Sequence, residues 1–258
     1  MRPLAIALPT APRAAFGKLV HNEARLAWRQ PAGLIAGVGV ALLLLIIFGV
    51  VPHLQESSAQ LGGLSAFEVY VPILIAFVIG VLALSYLPGP LVSYREQGIL
   101  RRLSITPVPP SWLLGAQLAV QACLMLATVG LLLIVSTGFF GLSAPKNLAG
   151  LALAVVVSIA AMFGIGLVIA AAARTSGAAR GLMAVAFYPL MFFAGLYVPV
   201  QVLPSALRGI SHYTPLGATV RAIQYSMFQG FPPAAPLLVL AAYAVAFGLL
   251  ARRFFRWE

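Results

Sequence analysis

Apolar residues occur along this chain in long charge-free runs separated by short basic segments. A helix needs about 20 apolar residues to cross the hydrocarbon core of a bilayer. We predict a membrane span in each run of adequate length: Pro31–Val51, Val69–Val92, Trp112–Phe140, Leu148–Ala173, Leu182–Leu203 and Ala234–Ala251. The pattern predicts an all-α polytopic membrane protein, a single transmembrane domain over residues 1–258. It would comprise an N-terminal segment (1–30), a six-span bundle (31–251) and a tail (252–258).

Composition supports this class. Hydrophobic residues make up 62% of the chain and charged residues only 8%, with a mean hydropathy of +1.02. Soluble domains are about 45–50% apolar. The net charge of +11 would suggest nucleic acid in a soluble protein. In a membrane protein it indicates contact with anionic lipid instead.

The basic residues divide unequally between the two predicted sides of the membrane. One side has only Lys146, Arg208 and Arg221. The other side, which contains both termini, has Arg2, Arg13, Lys18, Arg25, Arg29, Arg95, Arg101, Arg102, Arg174, Arg180, Arg252, Arg253 and Arg256. Because basic loops stay in the cytoplasm, we expect both termini to be cytoplasmic.

Two polar segments have the periodicity of amphipathic helices. Within Arg13–Gln30, apolar Phe16 and Val20 fall opposite Lys18, Arg25 and Arg29, and Trp28 lies close to the first span. This pattern predicts a helix in the headgroup region; a generic basic anchor is the alternative.

Between the fifth and sixth spans, Thr214 and Pro215 are typical of a helix start, and an apolar stripe follows. We expect one or two short extracellular helices here that dip into the outer leaflet. A helix resting on the bilayer surface explains the stripe equally well.

Residues for membrane-embedded chemistry are scarce. The chain has no aspartate, and its five glutamates lie outside the spans. Its three histidines have no metal-ligand spacing, and it lacks the phosphate-binding pattern G-x-x-x-x-G-K-[ST]. We therefore expect no catalytic centre and no cofactor or metal bound by this chain, so that energy for active transport comes from a partner. The single cysteine, Cys123, is expected to be a small buried hydrophobe.

Three motifs occur in order along the chain. The first is Tyr94-Arg-Glu-Gln-Gly-Ile-Leu-Arg-Arg-Leu-Ser-Ile-Thr-Pro107, the second is Phe193-Ala-Gly-Leu-Tyr-Val-Pro-Val-Gln-Val-Leu-Pro204, and the third is Tyr213-Thr-Pro-Leu-Gly-Ala-Thr-Val-Arg221. Together they resemble the membrane subunit of type-2 ABC exporters, which include daunorubicin-type drug exporters. The family's corresponding patterns are the loop R-E-x-G-T-L-x-x-L-x-x-T-P, the segment G-x-x-x-P-x-x-x-L-P and the N-P segment that follows it. Ile99 stands where the family has threonine, and Tyr213-Thr214 replaces the asparagine context.

The resemblance implies a permease in the bacterial cell membrane that pairs with a second permease chain and two ATPase subunits, which would bind ATP and Mg. Arg13–Gln30 would be the connecting helix, with Lys18, Arg25, Trp28 and Arg29 as its key residues. A coupling helix over Arg95–Thr106 would contact the ATPase through Arg95, Glu96, Gly98, Ile99, Leu100, Arg101, Arg102, Leu103, Thr106 and Pro107. The alternative is that these arginines only keep the loop in the cytoplasm.

The resemblance also implies a pathway lined largely by spans two and five. In span five, Tyr188, Phe192, Gly195 and Pro199 have helical spacing, flanked by Phe193 and Tyr197. We assign Tyr188, Phe192, Phe193 and Tyr197 to the pathway, with lipid contact or packing as the alternative. The exported substrate would be a hydrophobic or amphiphilic drug, polyketide, lipid or glycan. A lipid-modifying membrane enzyme and a passive channel or scaffold are the rival functions.

Overall fold

The computed structural model describes residues 12–29, 35–98 and 110–254. Every regular element in these ranges is a helix, apart from one isolated bridge between Ser57 and Ser65, which confirms the all-α class there. The main helices are α1 (Pro12–Arg29), α2 (Val40–Val50), α3 (Ala66–Val81), α4 (Pro88–Glu96), α5 (Pro110–Gly138), α6 (Leu148–Ala172), α7 (Ser176–Ala194), α8 (Ser205–Tyr213), α9 (Pro215–Phe228) and α10 (Ala234–Phe254).

Among the described residues, five helical segments are long and apolar enough to cross a membrane: Ala66–Glu96 (α3 and α4 together), α5, α6, α7 and α10. The described apolar part of the first predicted span covers Gly37–Val50, which is shorter. It continues from a π-helical turn, Ile35–Gly39, into α2. The six-span layout therefore stays a prediction.

The second span forms the centre of the bundle. In its most apolar stretch 83% of the residues are buried, whereas the corresponding stretch of α7 is only 17% buried. Ile75, Ile79 and Leu82 have no exposed surface. A capping box between Ser65 and Glu68 fixes its start.

Proline shapes the middle of this span. A π-helical segment, Leu82–Tyr86, joins α3 to α4 immediately before Pro88. Proline has no N–H to donate to the preceding turn, and a π-type turn accommodates the missing bond. The helix therefore continues to Glu96 with a local distortion before Pro88 and does not stop there.

The bounds of the predicted fifth span are wrong. Helix α7 begins six residues earlier than Leu182, where the Thr175 side chain accepts a hydrogen bond from the Ala178 N–H at 3.1 Å. It ends at Ala194 because Gly195 adopts φ +90°, a left-handed conformation that glycine favours. Gly195 and Pro199 therefore do not extend the helical face of Tyr188 and Phe192.

Two short helices, α8 and α9, follow in the predicted segment, and their extracellular placement stays a prediction. The Thr214 hydroxyl caps α9 by accepting from the Gly217 N–H at 3.2 Å, and Pro215 takes the first helical position. Helix α9 is buried among α3, α6, α7 and α10, and Thr219 donates to the Ser158 hydroxyl of α6 at 2.9 Å. The surface-helix alternative is therefore wrong, because ten of the fourteen residues of α9 are buried against other helices.

Cys123 is exposed on α5, so its predicted burial is wrong. The inward face of α5 has instead Gln117, Gln121 and Met125 at helical spacing, and all three are buried. Hydropathy did not predict that the glutamines are buried and the cysteine is exposed, because it ranks cysteine above glutamine for burial.

Candidate functional site

The predicted ATPase-coupling residues begin at the end of the second span. Arg95 and Glu96 form the last turn of α4, and Gly98 then adopts φ +66°. Both residues thus belong to the spanning helix, so the predicted start of a coupling helix at Arg95 is wrong, and their role at the ATPase stays a prediction. The left-handed glycine ends the helix beyond them. The remaining coupling residues, Ile99, Leu100, Arg101, Arg102, Leu103, Thr106 and Pro107, lie outside the described residues.

Arg95 binds the end of the fourth span. Its guanidinium donates to the carbonyl oxygen of Ala170 at 3.2 Å and to that of Ala173. Carbonyls at a helix C-terminus have no intrahelical partner and carry partial negative charge. The arginine therefore satisfies these acceptors and complements the dipole of α6.

Glu96 binds the start of the fifth span. Its carboxylate accepts a hydrogen bond from the Ser176 N–H at 2.9 Å and another from the Ser176 hydroxyl. Ser176 is the first residue of α7, where free N–H groups and the helix dipole favour an anion. Adjacent residues of opposite charge thus attach the end of span two to the turn between spans four and five.

A cleft of about 740 Å³ lies beside this attachment. It is lined by Arg95, Glu96, Val168, Ala171, Ala172, Arg174 and Phe254. The cleft therefore joins the ends of α4, α6 and α10, and the neighbouring Arg252 and Arg253 add positive charge at the same end of α10.

Helix α1 confirms that the predicted N-terminal segment is helical. Lys18 and Arg25 are exposed, and Phe16 packs edge-to-face against Trp112 of α5 with ring centroids 6.1 Å apart. The backbones of Trp28 and Arg29 belong to the helix, and their side chains lie outside the described residues. The exposed basic side fits the predicted amphipathicity.

Glu23 is a functional candidate that the sequence reasoning missed. It is only 8% exposed, and the Tyr94 hydroxyl donates to its Oε1 at 3.0 Å. Burial raises the pKa of Glu23, and the hydrogen bond from Tyr94 partly opposes this. The contact connects α1 to α4 one residue before Arg95. The available signal was the spacing of Glu23 from Phe16 and Val20, which places an acid on the apolar face.

The predicted pathway aromatics do not share one surface. Tyr188 is 61% exposed on α7, while Phe192 and Phe193 are half-buried and contact each other edge-to-face at 5.3 Å. Tyr197 is exposed but lies beyond the end of α7. On the inner side, Phe187 packs against Phe77 of span two with ring centroids 6.1 Å apart. The structure therefore leaves Tyr188 on an outward face and uses its neighbours for packing.

Comparison with known families agrees with this architecture. The family model described as "ABC-2 type transporter" matches residues 14–228, from within α1 to the end of α9. No curated protein matches the sequence. Because the family model covers most of the chain, the chain belongs to the ABC-2 type transporter family and is a membrane component of a transporter.

Proposed function

We propose that this chain is the permease subunit of an ABC exporter and is driven by two separate ATPase subunits, which bind the ATP and Mg. The main supporting observation is the attachment of Arg95 and Glu96 to the fourth and fifth spans, at the start of the segment that resembles the family's coupling loop. In this proposal the chain spans a bacterial cell membrane six times, with both termini in the cytoplasm.

Arg95 and Glu96 would transmit a movement of the coupling segment to the helical bundle. A push on residues 99–107 would reach Arg95 and Glu96 within a few residues, and through them the ends of α6 and α7. Arg101 and Arg102 would contact acidic groups of the ATPase, with Ile99, Leu100 and Leu103 as apolar contacts beside them. Coupling requires that these contacts differ between two conformations of the transporter.

The pathway would form against a second permease chain, identical or related. Helix α7 supports this because it packs on the central span with one side, while its other side exposes Val185 (75%) and Tyr188 (61%). Phe192, Phe193 and Tyr197 do not share this face, and their assignment to the pathway rests on the resemblance alone. Aromatic side chains on such a surface suit the burial of a hydrophobic or amphiphilic substrate, and drugs, polyketides, lipids and glycans all fit this chemistry.

The test is gentle-detergent purification of the tagged chain from its own membranes, comparing the wild type with R101E/R102E. We expect the wild type to retain an ATPase subunit and to hydrolyse ATP, and the charge-reversed variant to lose it because repulsion replaces attraction. K146E, a charge reversal in the loop between α5 and α6, is the control. An unchanged complex with R101E/R102E, or a wild type with no ATPase, would contradict the proposal.

A further inference from the structure

A further cavity lies on the side of the central span that faces α1 and α5. It encloses about 460 Å³ between α1, the distorted end of span two and α5. Leu26 and Gln97, both exposed, lie at its edge, so the cavity reaches the surface of the chain. It is separate from the cleft beside Arg95 and from the exposed face of α7.

Polar side chains without partners line this cavity. Gln117 is 2% exposed, and neither its Oε1 nor its Nε2 has a hydrogen-bond partner within the described part of the chain. Gln121 lies one turn further along α5 and is 5% exposed. Its Oε1 and the hydroxyl of Tyr86 also have no hydrogen-bond partner among the described residues. Buried polar groups are nearly always hydrogen-bonded, and a cluster facing one cavity points to a polar ligand.

The charged groups that line the cavity indicate the charge of the ligand. Glu23 supplies a carboxylate, and no lysine or arginine among the described residues lines the cavity. Tyr94 occupies Oε1 of Glu23, and the described residues give Oε2 no partner. In a chain of net charge +11, Glu23 is the only buried acid among the described residues, and an anion in such a site favours a cation.

Burying the Glu23 carboxylate at this position lowers the stability of the fold. Burial raises the pKa of Glu23 because the ionised form is poorly solvated. A glutamine would keep the hydrogen bond from Tyr94 without that cost. A cation bound in the cavity would reverse the penalty, which gives the carboxylate a role that an amide does not have.

We propose that this cavity binds the ammonium group of an amine-bearing amphiphile, with Glu23 as its counter-ion. Gln117, Gln121 and Tyr86 donate and accept hydrogen bonds with the hydroxyl, carbonyl or ester groups next to the amine. The ligand's apolar part leaves past Leu26 toward the bilayer. An ethanolamine lipid headgroup and a free alkylamine share this chemistry. The inference concerns binding alone and does not depend on an ATPase.

Calorimetric titration of the purified full chain in detergent tests the proposal. The probes are a short-chain phosphatidylethanolamine, octylamine, and a phosphatidylglycerol with the same acyl chains as an ammonium-free control. We expect the ethanolamine lipid or octylamine to bind and the glycerol lipid to bind much more weakly. Binding of octylamine assigns recognition to the amine alone, and binding of the ethanolamine lipid without octylamine assigns the headgroup as the source. Equal binding of the glycerol lipid, or no binding of either amine, would overturn the proposal.

Variants separate binding from folding. E23Q keeps the size of the side chain and should weaken amine binding at least about tenfold, because the counter-ion is lost. E56Q is the matched control, since Glu56 is an exposed acid paired with His53 at 3.4 Å. Q117L should weaken binding while the thermal stability of the chain is unchanged or increased, because an unpartnered buried amide is removed. Wild-type amine affinity in both E23Q and Q117L would refute the assignment.

Discussion

Arg95 provides the most direct test of how the second span is attached to the rest of the bundle. In R95A, the carbonyl oxygens of Ala170 and Ala173 lose their guanidinium donor, and the C-terminus of α6 loses a cation near its dipole. A hydrogen bond to a charged group contributes about 1.5–3 kcal/mol, and a cation at a helix C-terminus about 0.3–1 kcal/mol. Arg95 is half-buried and these contributions are not additive, so we expect a net loss of about 2 kcal/mol.

Hydrogen exchange measures this loss locally. The Ala173 N–H bonds to the Ile169 carbonyl at 2.9 Å, so its exchange reports opening of the last turn of α6. A loss of about 2 kcal/mol corresponds to roughly 30-fold faster exchange, since about 1.4 kcal/mol is a factor of ten. R95K should show an intermediate increase, because lysine keeps the charge but not the planar fork.

The matched control is R174A, which removes an exposed arginine from the adjacent turn. The described part of the chain gives Arg174 no hydrogen bond comparable to those of Arg95. The isolated chain is used, so that no ATPase contributes. Unchanged exchange at Ala173 in R95A would refute the attachment and favour a direct contact of Arg95 with the ATPase.

Two further predictions concern packing and assembly. In G166A the new Cβ would meet the backbone carbonyl of Ala83 in the π-helical segment, so we expect the free energy of unfolding to fall by about 1–3 kcal/mol and the melting temperature to fall with it. The control is G130A, where the new Cβ meets nothing within 4 Å. Equal stabilities of the two variants would contradict the close contact. In a C123A background, V185C on α7 should form a disulfide-linked dimer under mild oxidation, because we place α7 at the second permease chain. V245C, on α10 and 61% exposed, should form much less, and the reverse pattern would move the interface to α10.

The two Gln side chains on α5 show why burial inside a bundle is difficult to predict. From sequence, Gln117 and Gln121 are polar interruptions of an apolar run, with no indication of the side they face. Packing of α5 against the central span turns them inward and leaves Cys123 outside. Hydropathy averages over a window, so it locates the helix but does not fix its rotation about its own axis.

The sequence by itself determined the helical class, the approximate positions of the apolar helices, the cap at Thr214 and the family. These properties depend on neighbouring residues: runs of apolar side chains, the missing N–H of proline, and motifs read in order. The family match to residues 14–228 confirms that part of the reasoning and favours a transport component over the membrane-enzyme alternative.

Tertiary structure alone decided what the charged residues contact. Arg95 reaches carbonyls 75 and 78 residues away, Glu96 binds Ser176 80 residues away, and the Tyr94 hydroxyl reaches Glu23 71 residues back along the chain. Such partners are set by which helix ends packing brings together. No local pattern encodes that, because a loop of any sequence that closes to the same geometry would bring the same groups into contact.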